Sequence, residues 1–345
     1  MKHLIANAML AFAILTSCSK IDISPPANPP RTDSIPTKDS IPIKDTIKGI
    51  PAPFGIVDAP FIAITIRDPK TGEYWIEKYK PDGSLRAYML EKKYEQMPYN
   101  GYPGFTVKAD RMAIGIDSSL YVVNMKTKEK TLIFKRKGNM MGFPTFNANG
   151  TKITFTMSPF SDPASSDLYV IDVLPDAIPF SITGTNLNEL IWSNPAFSND
   201  GRLIAYSSWG TINVYDLQEN SLIGVQKDYS YWNDYPVFSK DDKHIIYKSF
   251  KLAPDSWGYS DLFNTEISEG AESYAARMTN MSQVGLRHAN IPILSGDGTA
   301  IYFLGIRENG ITNLYKMNPE GGSITLLASN LAENKEVIRM VYIEK

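Results

Sequence analysis

The sequence predicts an all-β protein, a six-bladed β-propeller made of four-stranded antiparallel blades. A short pattern recurs five times along the chain: a proline, a large apolar residue two positions later, and then a polar turn. Each copy is followed by further runs of β-branched and aromatic residues. A four-stranded unit that repeats every 40–50 residues or so is typical of propeller blades.

The clearest copy of the repeat is Ser193 to Ser207, which reads SNPAFSNDGRLIAYS. Its Asp200-Gly201 pair supplies the positive φ of a tight hairpin, so the residues on either side are predicted to form two antiparallel strands. The second strand of each copy is apolar at consecutive positions, which predicts burial on both faces of the sheet. The other copies contain Pro103, Pro144, Pro236 and Pro292.

Closure of the ring is predicted from the two ends of this region. Before the first full copy, only three strands are available: Phe61 to Ile66, Tyr74 to Tyr79 and Leu85 to Leu90. After the last copy, Val337 to Ile343 remains as a single strand. Pairing this C-terminal strand with the first blade closes the ring and removes the free edge. This count gives six blades, with seven as the alternative.

The repeat resembles a known one. Pro195 to Tyr206 is similar to the WD40-like repeat, also called PD40, of the TolB-type six-bladed propellers. The resemblance covers Ile56 to Lys345 and implies the fold. It does not specify a function, because the same repeat occurs in binding proteins, in the propellers of prolyl oligopeptidases and in oligogalacturonate lyases.

Residues 1–17 are predicted to be a lipoprotein signal peptide. The apolar run Leu4 to Leu15 follows Lys2 and is shorter than the roughly 20 residues that span a bilayer. The boundary Leu15-Thr16-Ser17-Cys18 resembles a bacterial lipobox, which implies lipidation at Cys18; an ordinary secretory peptide is the alternative. Because Ser19 follows the cysteine, the resemblance implies anchoring in the outer membrane, facing the periplasm or the cell surface.

Residues 18–55 are predicted to be a disordered stalk, and residues 56–345 the propeller. The stalk contains proline pairs and a six-residue repeat that places Pro36 and Pro42 in equivalent positions. Such sequences favour extended polyproline geometry. The alternative is a ligand for a proline-binding partner.

The sequence contains no recognisable catalytic motif. Neither a Gly-x-Ser-x-Gly elbow, a His-Glu-x-x-His pair nor a phosphate-binding loop is present. The net charge of −2 gives no indication of nucleic-acid binding. We therefore predict no catalysis, no cofactor and no metal site. The alternative is an enzyme of the polysaccharide-lyase type at the mouth of the channel, which would use His288.

One face of the propeller is predicted to bind a partner. In the expected connectivity, the loops that enter each first strand share a face with those that join second and third strands. Aromatic rings in exposed loops offer large contact area at low entropy cost. The candidate binding residues are Trp192, Trp209, Tyr231, Trp232, Trp257, Tyr259, Arg287 and His288.

The expected partner is a protein or a glycan of the cell envelope, bound by a monomer or within a larger envelope complex. Alternatively, the rings pack between blades and the propeller is a structural spacer. Packing is expected for Tyr102, Phe143 and Tyr235, each of which directly precedes a proline. The long segment Gly270 to Asn290, which includes Arg277, is expected to cap the channel.

Overall fold

The computed structural model describes residues 60–84, 86–90, 102–162, 165–183, 194–224, 231–251, 259–268, 275–331 and 335–344. These residues form six sheets, each of four antiparallel strands. The prediction of a six-bladed propeller is therefore confirmed. The predicted signal peptide and stalk, residues 1–55, lie outside the described residues. In the described ranges no helix is long and apolar enough to cross a membrane.

The strands follow the order of the blades along the chain. Blade one contains β1 (Phe61–Arg67), β2 (Tyr74–Tyr79) and β3 (Arg86–Leu90), and blade two contains β4 (Gly104–Phe105), β5 (Arg111–Ile116), β6 (Ser119–Asn124) and β7 (Lys130–Lys135). Blade three contains β8 (Asn139–Phe146), β9 (Lys152–Pro159), β10 (Asp167–Asp172) and β11 (Phe180–Ser181), and blade four contains β12 (Ala196–Phe197), β13 (Leu203–Ser208), β14 (Thr211–Asp216) and β15 (Ser221–Gly224). Blade five contains β16 (Tyr231–Phe238), β17 (His244–Lys251), β18 (Asp261–Glu266) and β19 (Ala276–Arg277). Blade six contains β20 (His288–Leu294), β21 (Ile301–Ile306), β22 (Thr312–Met317) and β23 (Thr325–Ala328), and β24 (Glu336–Ile343) completes blade one.

The C-terminal strand closes the ring as predicted. Strand β24 pairs antiparallel with β1, from Phe61 opposite Ile343 to Arg67 opposite Glu336. It therefore supplies the first strand of blade one, while β1, β2 and β3 supply the other three. Both ends of the described propeller are thus held in one sheet, and β1 is paired on both of its sides.

The hydrophobic core is divided among the junctions between blades. The described residues form six buried clusters, and each cluster joins two neighbouring blades. At the junction of blades six and one, for example, Ile64 and Tyr302 are both almost fully buried. Burial of such a side chain contributes about 1.5–3 kcal/mol. The consecutive apolar residues of the second strands are therefore buried on both faces, as the sequence predicts.

Tight turns join first and second strands, and we call the side that carries them the hairpin face. In blade six, the Asp297 carboxylate accepts hydrogen bonds from the Ser295 hydroxyl at 2.6 Å and the Thr299 backbone N–H at 3.0 Å. These bonds, the one from Ser295 foremost, lower the pKa of Asp297 to about 2. Gly298 has a φ of 75°, as a turn of this kind requires. The acidic side chain thus belongs to the polar turn that the repeat predicts for each blade.

A bulge interrupts the first strands at the residue before the proline. Phe143, Tyr235 and Ile291 have φ values of 48°, 54° and 46°, and the strand register shifts at each of them. Positive φ is uncommon for residues with a side chain and costs of the order of 1–3 kcal/mol. The Tyr102 and Phe143 rings lie 4.9 Å apart, which confirms the packing expected for them. Burial, followed by Asp234 and Tyr102, raises the pKa of Tyr235.

Candidate functional site

Three exposed aromatic side chains lie on the face opposite the hairpins, which we call the loop face. Phe160, Trp209 and Tyr259 each belong to the connection between the second and third strands of a blade. The blades concerned are three, four and five, which are consecutive around the ring. The side chains are 49%, 60% and 43% exposed, respectively. We call these three residues the aromatic arc.

Trp209 is held outward by a two-residue turn. Trp209 and Gly210 have φ values of 51° and 73°, which match the positive φ at both positions of a type I′ hairpin. The turn joins β13 to β14, whose ends pair at Ser208 and Thr211. The sheet therefore fixes the main chain at Trp209, while the indole side chain is exposed to solvent.

Tyr231 and Trp232 lie in a strand, so their expected placement in a loop is wrong. The first strand of blade five extends beyond its bulge, and both residues pair with β17. The Trp232 indole stacks on Phe250 at a centroid distance of 6.5 Å and donates from Nε1 to Asp234 at 3.1 Å. Tyr231 packs at a tilt against Phe263. Both side chains are half-buried at the edge of the loop face.

His288 begins β20 and lies between blades five and six. Its Nδ1 atom is 3.3 Å from the Ser260 hydroxyl, which donates to the carbonyl oxygen of Ala289 at 3.1 Å. Burial, followed by the positive charges of Lys248 and Arg287, lowers the pKa of His288 to about 4. The imidazole is therefore neutral near pH 7 and carries no charge toward a ligand.

Arg287 is exposed on the loop face, and its backbone joins two blades. Its N–H donates to the carbonyl oxygen of Ile306 at 2.7 Å, and its own carbonyl accepts from the Ser260 N–H at 3.1 Å. The guanidinium therefore projects from a fixed backbone next to His288. Of the candidate residues on this face, the structure thus brings Arg287 and His288 together with Tyr259, because Ser260, which follows Tyr259, pairs with His288.

The segment expected to cap the channel is described from residue 275 onward, and its residues pack against blades five and six. Arg277 lies in β19, the outermost strand of blade five, and its guanidinium donates from Nε to Asp261 at 3.0 Å. The 3-10 helix Met281–Val284 follows, and Met281 is fully buried in the core between blades five and six. Residues 275–287 therefore run from the outermost strand of blade five to the first strand of blade six. Met281 and Leu286 pack in the core between these blades, so this part of the segment serves blade packing, and the cap remains a prediction.

Three of the candidate residues, Cys18, Trp192 and Trp257, lie outside the described residues. Among the residues that the structure describes, no group of three or more His, Cys, Asp or Glu side chains is arranged to hold a metal ion.

Sequence reasoning did not identify Arg339, a residue of the closing strand. It is 4% exposed and lines a central cavity of about 250 Å³ between the first strands of the blades. A signal was available in the sequence: five first strands carry a proline where the closing strand carries an arginine.

The fold defines the class of protein as a closed six-bladed β-propeller. No protein-family model and no curated protein matches the chain. Among solved structures, TolB from Acinetobacter baumannii is similar with a TM-score of 0.61 and 20% identity over 87% of this chain and 69% of that one. A putative TolB from Agrobacterium tumefaciens is similar with a TM-score of 0.54 and 13% identity over 84% of this chain and 100% of that one.

An oligogalacturonate lyase in complex with manganese is also similar, with a TM-score of 0.52 and 13% identity over 80% of this chain and 86% of that one. The chain thus has the TolB-type propeller fold. At these identities the likeness concerns the fold alone, because one propeller fold serves both binding proteins and enzymes.

Proposed function

We propose that this chain is a lipid-anchored propeller of the bacterial cell envelope that binds a protein or glycan partner through its loop face and catalyses no reaction. The aromatic arc is the observation that carries the proposal. Three neighbouring blades each present one ring, Phe160, Trp209 or Tyr259, from the connection between the second and third strands. Exposed aromatic side chains on a rigid scaffold are suited to a partner's apolar groups or to the faces of sugar rings.

The arc differs from the exposed leucines of the outermost strands. Leu132, Leu222 and Leu326 are exposed on outermost strands, one per blade, and single aliphatic residues of this kind are normal on protein surfaces. Polar groups lie next to the arc at Tyr259, where Arg307 and Glu308 line a shallow depression. An aromatic centre with polar neighbours is the usual composition of a binding surface.

Binding can be tested with the full-length protein in detergent, against a cell-envelope extract and a panel of glycans. The variant Trp209→Ala/Tyr259→Ala should weaken binding by about a hundred- to a thousandfold, because aromatic hot spots contribute on the order of 2 kcal/mol each. Leu222→Ala is the matched control, since this exposed leucine lies on an outer strand. Unchanged binding in the double variant would exclude the aromatic arc as the binding surface.

The same experiment separates the partner classes. Saturable binding to glycans alone would assign a carbohydrate ligand, and capture of one envelope protein by the wild type but not by the double variant would assign a protein. Cleavage of acidic oligosaccharides that is lost in His288→Ala would overturn the non-catalytic part of the proposal.

The membrane anchor has its own test. The proposal rests on the lipobox-like residues up to Cys18 and on the proline-rich residues after them. Cells grown with labelled fatty acid should label the wild type and not Cys18→Ser. Protease added to intact cells would degrade a surface-exposed propeller and spare a periplasmic one.

A further inference from the structure

The central cavity contains one break in the repeat. In β20, Ile291 and Pro292 lie at the bulge, between the paired residues Asn290 and Ile293. In β24 the register shifts at Ile338, so the next residue, Arg339, occupies the place of the proline. Blade one is thus the blade in which a cation replaces the apolar ring at this level of the channel.

The Arg339 side chain reaches across the channel to blade three. It donates from Nη1 to the carbonyl oxygen of Pro144 at 2.7 Å and from Nη2 to the Thr145 hydroxyl at 2.8 Å. Gly104 of blade two leaves the space for this contact, since a Cβ atom there would lie 3.3 Å from Nη2. Two of the five N–H groups of the guanidinium are used in this way, and three remain.

The positive charge of Arg339 has no acidic partner in the described part of the chain. No described carboxylate forms an ion pair with it. Burial lowers the pKa of Arg339 to about 9, so the guanidinium stays protonated near neutral pH. A buried charge that is not paired is costly, and an anion in the cavity would remove that cost.

The cavity has room for such an anion and a second polar group to orient it. Its volume is about 250 Å³, and its walls include the repeated first-strand residues Phe105, Phe146, Phe197 and Phe238. Asn194 also lines it, and the buried Oδ1 atom of this residue has no hydrogen-bond partner among the described residues. The cavity continues to the hairpin face, where Glu344 lines its outer part.

We propose that this cavity is a carboxylate-binding site in which Arg339 forms the ion pair with the ligand. A carboxylate matches the single positive charge and the planar fork of arginine, whereas a phosphate dianion would leave excess negative charge among apolar walls. The Asn194 oxygen accepts a hydrogen bond from an N–H or O–H group of the same ligand. The ligand is either a small organic acid or the carboxyl end of a chain that enters from the hairpin face.

This site is separate from the loop face, so each proposal stands or falls without the other. The full-length protein is titrated with 4-hydroxybenzoate and with 4-hydroxybenzamide, and with short peptides that end in a free carboxylate or in an amide. The carboxylates should bind saturably and raise the melting temperature, while the neutral analogues should do neither. Tighter binding of the peptide acids would identify the end of a chain, and tighter binding of 4-hydroxybenzoate a small acid.

Arg339→Gln should weaken carboxylate binding by about ten- to a hundredfold, the value of a hydrogen-bonded charge pair. Lys126→Gln, at an exposed lysine of the turn between β6 and β7, should bind as the wild type does. A second variant, Asn194→Asp, adds a negative charge to the wall of the cavity that Arg339 also lines, and it should weaken carboxylate binding even if Arg339→Gln does not fold. Carboxylate binding that is unchanged in Asn194→Asp, or no binding of any carboxylate to the wild type, would overturn the proposal.

Discussion

The indole ring of Trp232 in blade five lies against Gly210 in blade four, so closely that a Cβ atom on Gly210 would be 2.9 Å from the ring. The same junction is held by hydrogen bonds, because the backbone N–H and the side-chain amide of Asn233 donate to the carbonyl oxygen of Gly210 at 2.9 and 3.0 Å. Trp232 and Asn233 therefore hold the turn that exposes Trp209 to solvent.

We expect Trp232→Ala to reduce mainly the stability of the fold and Trp209→Ala to reduce mainly partner binding. Loss of the half-buried Trp232 leaves a cavity between two blades and should lower the free energy of unfolding by about 2–3 kcal/mol, somewhat less than for a fully buried tryptophan. Loss of the exposed Trp209 should change it by no more than about 0.5 kcal/mol, and should weaken partner binding. Chemical denaturation gives the first quantity and titration with the partner gives the second.

Phe250→Ala is the control for the packing role, because this ring stacks on Trp232 and should be destabilising in the same way. If Trp209→Ala destabilised the fold as much as Trp232→Ala, the exposed indole would be a structural residue and the aromatic arc would lose its central member.

Acidification should weaken the fold through His288. Its pKa is about 4 in the folded protein and near 6.5 when exposed, so the folded state resists protonation. The unfolded chain binds more protons between these values, and stability therefore falls as the pH is lowered from about 6.5 to about 4. Thermal unfolding at a series of pH values should show a decreasing melting temperature in this window.

His288→Gln should remove that decrease in melting temperature. His244→Gln, at the start of β17 in blade five, should leave the decrease unchanged. Asp68, Asp216, Asp241 and Asp297 all have lowered pKa values in the fold, so their contribution is lost only below about pH 3.8. Burial raises the pKa of Asp167, which acts in the opposite direction on the wild-type curve, so the comparison of variants is decisive. A His288→Gln curve that runs parallel to the wild-type curve between pH 6.5 and 4 would contradict the burial of His288 beside Lys248 and Arg287.

The sequence was sufficient for the fold because each blade repeats the same local chemistry. The Asp-Gly and Asn-Gly hairpins and the proline of each first strand, such as Pro195, mark the blades, and the unpaired strand around Val341 predicts how the ring closes. The extent to which individual aromatic side chains are buried could not be predicted in this way. Trp232 is half-buried because β16 continues beyond its bulge, and no local signal gives the length of a strand.

Contacts between distant residues were the other limit. Arg277 has the sequence surroundings of an exposed loop residue, and its pairing with Asp261 depends on an outer strand of two residues. Arg339 is unremarkable in its own strand, and its position becomes informative only when β24 is aligned with the five other first strands.

The carboxylate of Asp261 should be the main support of the segment between blades five and six. It is almost fully buried and accepts hydrogen bonds from the Thr279 hydroxyl and the Met281 N–H, both at 2.9 Å, as well as from Arg277. Asp261→Ala leaves these donors unsatisfied and should lower the free energy of unfolding by about 1–3 kcal/mol. Hydrogen exchange of residues 275–287 should become faster.

Arg277→Met is the matched comparison. The arginine is half exposed, so its ion pair should contribute no more than about 1 kcal/mol. Protection of residues 275–287 that is the same in Asp261→Ala and in the wild type would show that apolar packing of Met281, and not the carboxylate, fixes this segment.

The approach of β4 to β8 beside the central cavity should tolerate no side chain at Gly104. A Cβ atom there would lie 2.0 Å from the carbonyl oxygen of Pro144, which is a backbone atom and also the acceptor of the Arg339 hydrogen bond. Gly104→Ala must therefore move a strand and should lower the free energy of unfolding by about 3 kcal/mol, the upper end of the range for overpacking. Gly72→Ala is the control, because it has a φ of 73° but no atom within 4 Å of the added Cβ, and it should cost about 1 kcal/mol. Chemical denaturation of both variants measures the two losses in the free energy of unfolding. Equal losses would mean that blades two and three separate easily at this level. Arg339 would then have no fixed hydrogen-bond acceptor.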